Sequence, residues 1–402
     1  MPLLKHHTVI ISSEQTSGWQ DGERPVYLDC NATTPLDPRV REAMARYLVE
    51  EYGNAGSRTH TYGVNAKQGV ENARREVAEV VDAEPDEVIF TSGATEANNL
   101  AILGLANAGQ ASGRMHLVST QIEHKAVLEP LEHLRSRGFS LTLVPPCAGG
   151  WVDPAAIVRA LQPDTLLVSV MAANNETGVL QPIDEIAACL ANHAAYLHVD
   201  AAQVFGKEID LLRATRIDLL SVSGHKIYGP KGIGALVVRR RGFSRPPLEP
   251  LMHGGGQERG LRPGTLPVPL VVGLGKAAAL ALREHSTRRA ACLAYRRQLL
   301  DEISPLGREL NGDQDRCQPH VLNVSLLGLD SEAAMVALKD VAALSNGSAC
   351  TSAEYKPSHV LQAMGLPESR IRAALRFSWH EATRSVPPLC SILTPFIARR
   401  GT

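Results

Sequence analysis

Between Val26 and about Leu280, short runs of β-branched and aliphatic residues alternate with stretches whose apolar positions recur at helical spacing. A chain with that alternation has few ways to fold. Strands joined through helices pair in parallel and bury both faces of one sheet, with the helices as its cover. The pattern predicts strands at 87–91, 115–120, 141–144, 166–171, 196–199, 219–222 and 234–238, and helices at 38–52, 65–81, 96–106, 125–137 and 183–193. The fold class is α/β, with a mainly parallel seven-stranded sheet between helices.

At 402 residues the chain exceeds what one compact core accommodates, so two domains are expected. A long apolar helix is read as ending near Glu284, followed by a separate charged helix over 288–303 and a strand at 321–325. The division expected from this change of texture is a large domain over 26–284 and a smaller α+β domain made of 285–402 together with 1–25. Within the latter, 341–357 is rich in Ser, Ala and Gly without a clear period, and part of it reads as a loop.

Charge and cysteine content narrow the function classes. A formal net charge of -1 creates no field that would draw the whole molecule onto nucleic acid or an anionic membrane, so direct nucleic-acid binding is not expected and runs such as Arg239–Arg240–Arg241 read as surface. Seven scattered cysteines are unlike a secreted disulfide framework and imply free thiols in a reducing compartment. No apolar run approaches membrane-spanning length, which makes a cytoplasmic location the expectation. Cys317 and His320 have no second ligand pair at suitable spacing, so no metal is expected.

Four segments carry the chemistry. Phe90 to Glu96 passes from a strand through small residues into a helix, where free N–H groups can seat a phosphate; the alternative is that Gly93 only turns the chain and Thr95 only caps the helix. Tyr196 to Asp200 ends an apolar strand in a carboxylate, suited either to a cationic partner such as a protonated pyridine nitrogen or to a helix cap or ion pair. Leu219 to Lys226 places a lysine directly after a strand and a small-residue turn. Lys226 and the nearby Lys231 are both candidates for an amine held in its nucleophilic form. Finally, Cys350 stands in Ser345–Asn346–Gly347–Ser348–Ala349–Cys350–Thr351–Ser352, a polar setting in which a thiol can react, or be a surface cysteine of no consequence.

Together with Leu28 to Pro35, Glu123 to Val127, Asn174 to Gly178 and His253 to Thr265, these segments resemble the cysteine desulfurases of the NifS/IscS family, pyridoxal-phosphate enzymes of the aspartate-aminotransferase fold type. The resemblance extends from about Val26 to Phe377. It implies that pyridoxal 5'-phosphate is held by Lys226 as a Schiff base, with Asp200 on the pyridine nitrogen, Gln203 on the ring hydroxyl and His124 stacked on the ring and serving in proton transfer. Thr95, Ser223 and His225 would bind the phosphate, with Thr265 supplied by the neighbouring subunit of a homodimer, and Ala94 and Asn175 would also contact the cofactor. Arg376 would clamp the carboxylate of L-cysteine, with Asn175 and Asn31 close by. Cys350 would accept the sulfur as a persulfide and pass it to an acceptor protein.

The Cys350 motif is similar to that of the subgroup with a long mobile cysteine loop. Two departures stand out: Trp379–His380–Glu381 replaces the family's usual small-residue run, and only Arg384 to Thr402 follows, which leads us to expect weak docking to an iron–sulfur scaffold and a dedicated pathway such as DNA phosphorothioation. A selenocysteine lyase or another enzyme of the same fold type, or a non-catalytic sulfur carrier, are the alternatives.

Overall fold

The computed structural model describes residues 24–347 and 357–397. Seven strands lie in the spatial order Val88–Thr91, Gly234–Val238, Leu219–Ser223, Tyr196–Asp200, Thr165–Met171, His116–Thr120 and Ser140–Val144. Only Gly234–Val238 runs against its neighbours; the remaining pairs are parallel. Central strands such as Thr165–Met171 and Leu219–Ser223 are buried at every position. Continuous aliphatic runs therefore suit this sheet better than alternating ones, each buried Val, Leu or Ile contributing about 1.5–3 kcal/mol. Six strands point one way, so Thr91, Thr120, Met171, Asp200 and Ser223 all finish on the same sheet edge, where open α/β sheets bind ligands.

A second, antiparallel sheet of Arg308–Leu310, Val321–Leu326 and Ala374–Ser378 builds its own core around Leu322, Phe377 and Trp379. Leu28 belongs to this core, and Val26–Tyr27 pairs with Ala342–Ala343. Trp379 is fully buried, donates its indole N–H to the Cys292 carbonyl at 3.1 Å and packs on Tyr295. The departure from the family pattern at this position thus fills a core.

Two helix expectations are corrected. The helices read as separate on either side of Glu284 form one element, Val268–Glu302. No Gly or Pro interrupts 283–289, and Arg288 donates to Glu284 at 2.8 Å across the expected break, an i,i+4 pair. The change of texture marks a change of packing partner: Val271, Leu274 and Ala278 lie in the core of the large sheet, whereas Cys292, Tyr295 and Leu299 lie in that of the small one. The other correction concerns the helix read over 96–106, which is two helices, Ala94–Leu103 and Ala106–Ser112, parted at Gly104. Among the described residues no helix is long and apolar enough to cross a membrane.

Candidate active site

The carboxyl edge of the large sheet opens into a cavity of about 460 Å³. Its walls include Asn31, Ala94, Thr95, His124, Asn175, Asp200, Gln203, Ser223, His225, Lys226 and Arg376, so residues far apart in sequence converge here. Thr265 is exposed and does not line this cavity, and Cys350 lies outside the described residues.

Each wall has a local cause. Helix Ala94–Leu103 starts from Gly93, whose φ of 153° and lack of a side chain leave the first turn without a side-chain cap. A Cβ on Gly234 would clash with the Val222 carbonyl oxygen and stand 2.6 Å from Gly93 Cα, so two glycines let the reversed strand and this turn meet. Thr95 is inside the helix and caps nothing, which leaves the uncapped N-terminus, with Ser223, His225 and Lys231 beside it, as a seat for an anion.

Among the described residues Asp200 caps no helix and forms no salt bridge. It accepts the Ala202 N–H at 3.0 Å on Oδ1 and the Asn98 amide at 2.8 Å on Oδ2. Asn98, a polar residue at zero exposure on the helix above, is a member of the site that the sequence reading passed over; a lone Asn on an apolar helix face was the available signal. Lys226 emerges from the turn Gly224–Lys226 and donates to the Ala32 carbonyl at 2.8 Å and to that of Asn31. Lys231 lines the cavity as well.

His124 is the N-cap of helix Lys125–Ser136, accepting the Ala126 N–H on Nδ1 at 3.1 Å, so Nε2 carries the proton of the neutral ring. Burial lowers the pKa of this histidine, and burial together with Lys226 and Lys231 pushes that of His225 down to about 4. Both rings are therefore neutral at pH 7. Arg376 donates to Asp29 Oδ1 at 2.6 Å and to the Asn175 carbonyl at 3.0 Å, while its Nε is buried without a partner among the described residues. A salt bridge to Asp29 and a place in the cavity wall thus coexist in Arg376.

The Aminotransferase class-V family matches residues 26–384. The mitochondrial cysteine desulfurase of Drosophila melanogaster is 48% identical over 91% of this chain and 78% of its own length. The chain belongs to the NifS/IscS-type cysteine desulfurases. The cysteine desulfurase IscS of Methylococcus capsulatus is likewise 48% identical, over 88% of this chain and 87% of the relative. Among solved structures, DndA from Streptomyces lividans shares 52% identity with a TM-score of 0.78, covering 87% of this chain and 98% of that one.

Cysteine desulfurases of this class depend on pyridoxal phosphate. The residues here fit that group: Gln203 Oε1 and Asn98 Oδ1 are buried acceptors without a partner among the described residues, a carboxylate and an amine both line the cavity, and an uncapped helix start lies beside them.

Proposed function

We propose that this cysteine desulfurase takes sulfur from L-cysteine, releases L-alanine and leaves a persulfide on Cys350, from which the sulfur passes to an acceptor protein. The observation that carries the reading is the convergence of Lys226, Asp200, Gln203, His124 and Arg376 on one cavity. In atoms, the C–S bond of cysteine breaks and an S–S bond forms on Cys350; the hydrogen given up by the Cys350 thiol balances the one gained by the alanine methyl group.

The chemistry that pyridoxal phosphate supplies when bound is an electron sink next to the substrate's α-carbon. Lys226 would hold its aldehyde carbon, Asp200 its ring nitrogen and Gln203 its ring hydroxyl. Ala94, Thr95, Ser223 and His225 would hold the phosphate. His124 would lie against the ring and move a proton through its imidazole, whose depressed pKa keeps it able to accept one at neutral pH. Arg376, with its plane set by Asp29 and the Asn175 carbonyl, orients the substrate carboxylate, and Asn31 adds a polar wall.

Thr265, exposed on its own chain, suits donation to the cavity of a second copy, and we infer a homodimer. The 52% identity to DndA favours a dedicated thiolation pathway such as DNA phosphorothioation over general iron–sulfur assembly. The six described cysteines are free thiols, which supports the cytoplasm as the location. A selenocysteine lyase or a non-catalytic carrier is not favoured, because the relatives matched are desulfurases across most of this chain.

The decisive experiment compares the wild type with Cys350→Ala. Both should show visible absorption from the bound cofactor, while only the wild type, with dithiothreitol present to reduce the persulfide, yields alanine and sulfide in equal amounts from cysteine. A colourless wild type overturns the cofactor assignment, and equal turnover by the variant overturns the role of Cys350.

A further inference from the structure

Residues 348–356, which include Cys350, are flanked by Gly347 and Pro357–Ser358. Both flanks run beside one side chain. Glu176, at 3% exposure, accepts the Ser358 hydroxyl on Oε2 at 2.5 Å. On the other flank, the Gly347 backbone passes so close that a Cβ there would stand 3.2 Å from the same oxygen, and its φ of +86° adds to the need for glycine.

Each flank is also tied to a wall of the cavity. Ser345 pairs with Arg376, whose N–H donates to the Ser345 carbonyl at 2.6 Å, and the Ser345 hydroxyl accepts the Gly347 N–H at 3.0 Å. After Ser358, the ring of His359 reaches the Glu123 carbonyl at 3.0 Å through Nε2, one residue before His124. Glu176 itself follows Asn175 and is held by its N–H to Asn174 Oδ1 at 2.9 Å and by its carbonyl to the Asn323 amide at 3.1 Å.

We propose that Glu176 is a positioning residue that clamps both flanks of the Cys350 segment, so that the segment starts and ends at set points on the cavity wall. This rests on the reading of Cys350 as the sulfur acceptor. A buried carboxyl is costly unless its bonds are needed, and burial pushes this one up to about 7. An apolar residue would fill the same space at lower cost; what it could not do is accept the Ser358 hydroxyl while letting Gly347 run past.

The test uses the holoenzyme and three variants, Glu176→Leu, Glu176→Gln and Ser358→Ala. Two quantities are read: the rate of persulfide formation at saturating cysteine, and the rate at which iodoacetamide alkylates Cys350 relative to the exposed Cys189. In Glu176→Leu, persulfide formation should fall about tenfold with KM and cofactor absorption unchanged, because a small displacement of a reacting group is enough for such a loss. Its Cys350 alkylation should rise about threefold as the flanks part. Glu176→Gln keeps a partner for Ser358 and should restore both rates to within about twofold; since leucine fills the same space, the contrast between the two variants assigns the loss to the hydrogen bond and not to packing. Combining Glu176→Leu with Ser358→Ala should cost no more than Glu176→Leu alone.

If Glu176→Leu and Ser358→Ala both leave the two rates within about twofold of wild type, the clamp is overturned. Should Glu176→Leu fail to fold, Ser358→Ala decides by the same criterion. A wild type that forms no persulfide on Cys350 overturns the reading beneath the proposal, and the alkylation rates then judge the clamp alone.

Discussion

The two sheets treat their polar groups differently. At the carboxyl edge of the large sheet, oxygens of Gln203 and Asn98 are buried without partners among the described residues, and a helix starts without a side-chain cap. In the small sheet, Asn311 donates to Asn323 at 2.7 Å and to Ser325 at 2.8 Å, and the Ser325 hydroxyl donates to the Arg370 carbonyl at 2.7 Å. An unpaired buried polar atom costs about 1–3 kcal/mol, so an edge that leaves several unpaired is built for a ligand, whereas a network that closes on itself is built for stability. Arg376 stands where the two meet: its strand belongs to the small sheet, while its guanidinium lines the cavity of the large one.

That contrast can be broken at graded depth. The largest effect is expected of Lys226→Ala, which should lower alanine formation by about a thousandfold or more and abolish the covalently held chromophore. Asp200→Asn removes a charge but little volume; turnover should fall about a hundredfold with the thermal midpoint nearly unchanged, as measured by steady-state kinetics beside a melting curve. Arg376→Lys should raise KM for cysteine about tenfold, because an ammonium cannot offer a forked pair of donors. If it leaves KM unchanged but lowers the thermal midpoint, the residue serves the small sheet and Asp29 rather than the substrate.

The smallest effect is a pH dependence of stability. Glu123 is fully buried, accepts the Thr120 hydroxyl at 2.7 Å and the Met171 N–H at 2.8 Å, and burial pushes it up to about 8 from an ordinary 4.5. Between those two values the folded chain holds a proton that the unfolded chain has lost, so stability declines as pH rises across that window. Glu123→Gln should flatten the decline, and its thermal midpoint relative to wild type should improve by about 2–4 °C between pH 6 and pH 8. Parallel melting curves for the two proteins across this range would show that Glu123 is not the source.

The strands of the large sheet were legible because each is a short aliphatic run ended by small or polar residues; that of Gly234–Val238 was read to the residue. Helix starts were legible where the cap is local, as for Asp37 before Pro38–Val49. The continuity of Val268–Glu302 was not legible, since its hydrophobic stripe changes direction when the helix passes from one core to the other. The two-residue pairing of Val26–Tyr27 with Ala342–Ala343 joins segments too short to carry a pattern. Asn98 escaped notice for a related reason: its partner, Asp200, is distant in sequence, and only the packing of helix on sheet brings them to 2.8 Å.

By itself the sequence determined the fold class, the order of strands and helices along the chain and the set of reactive side chains, because periodicity and residue chemistry are local properties. The tertiary structure decided which of those side chains share a cavity, which polar atoms stay unpaired there, and that Glu176 holds Ser358 while the Gly347 backbone runs beside it. Those are outcomes of long-range packing: burial, and the demand that buried polar groups find partners, are settled only when distant segments meet.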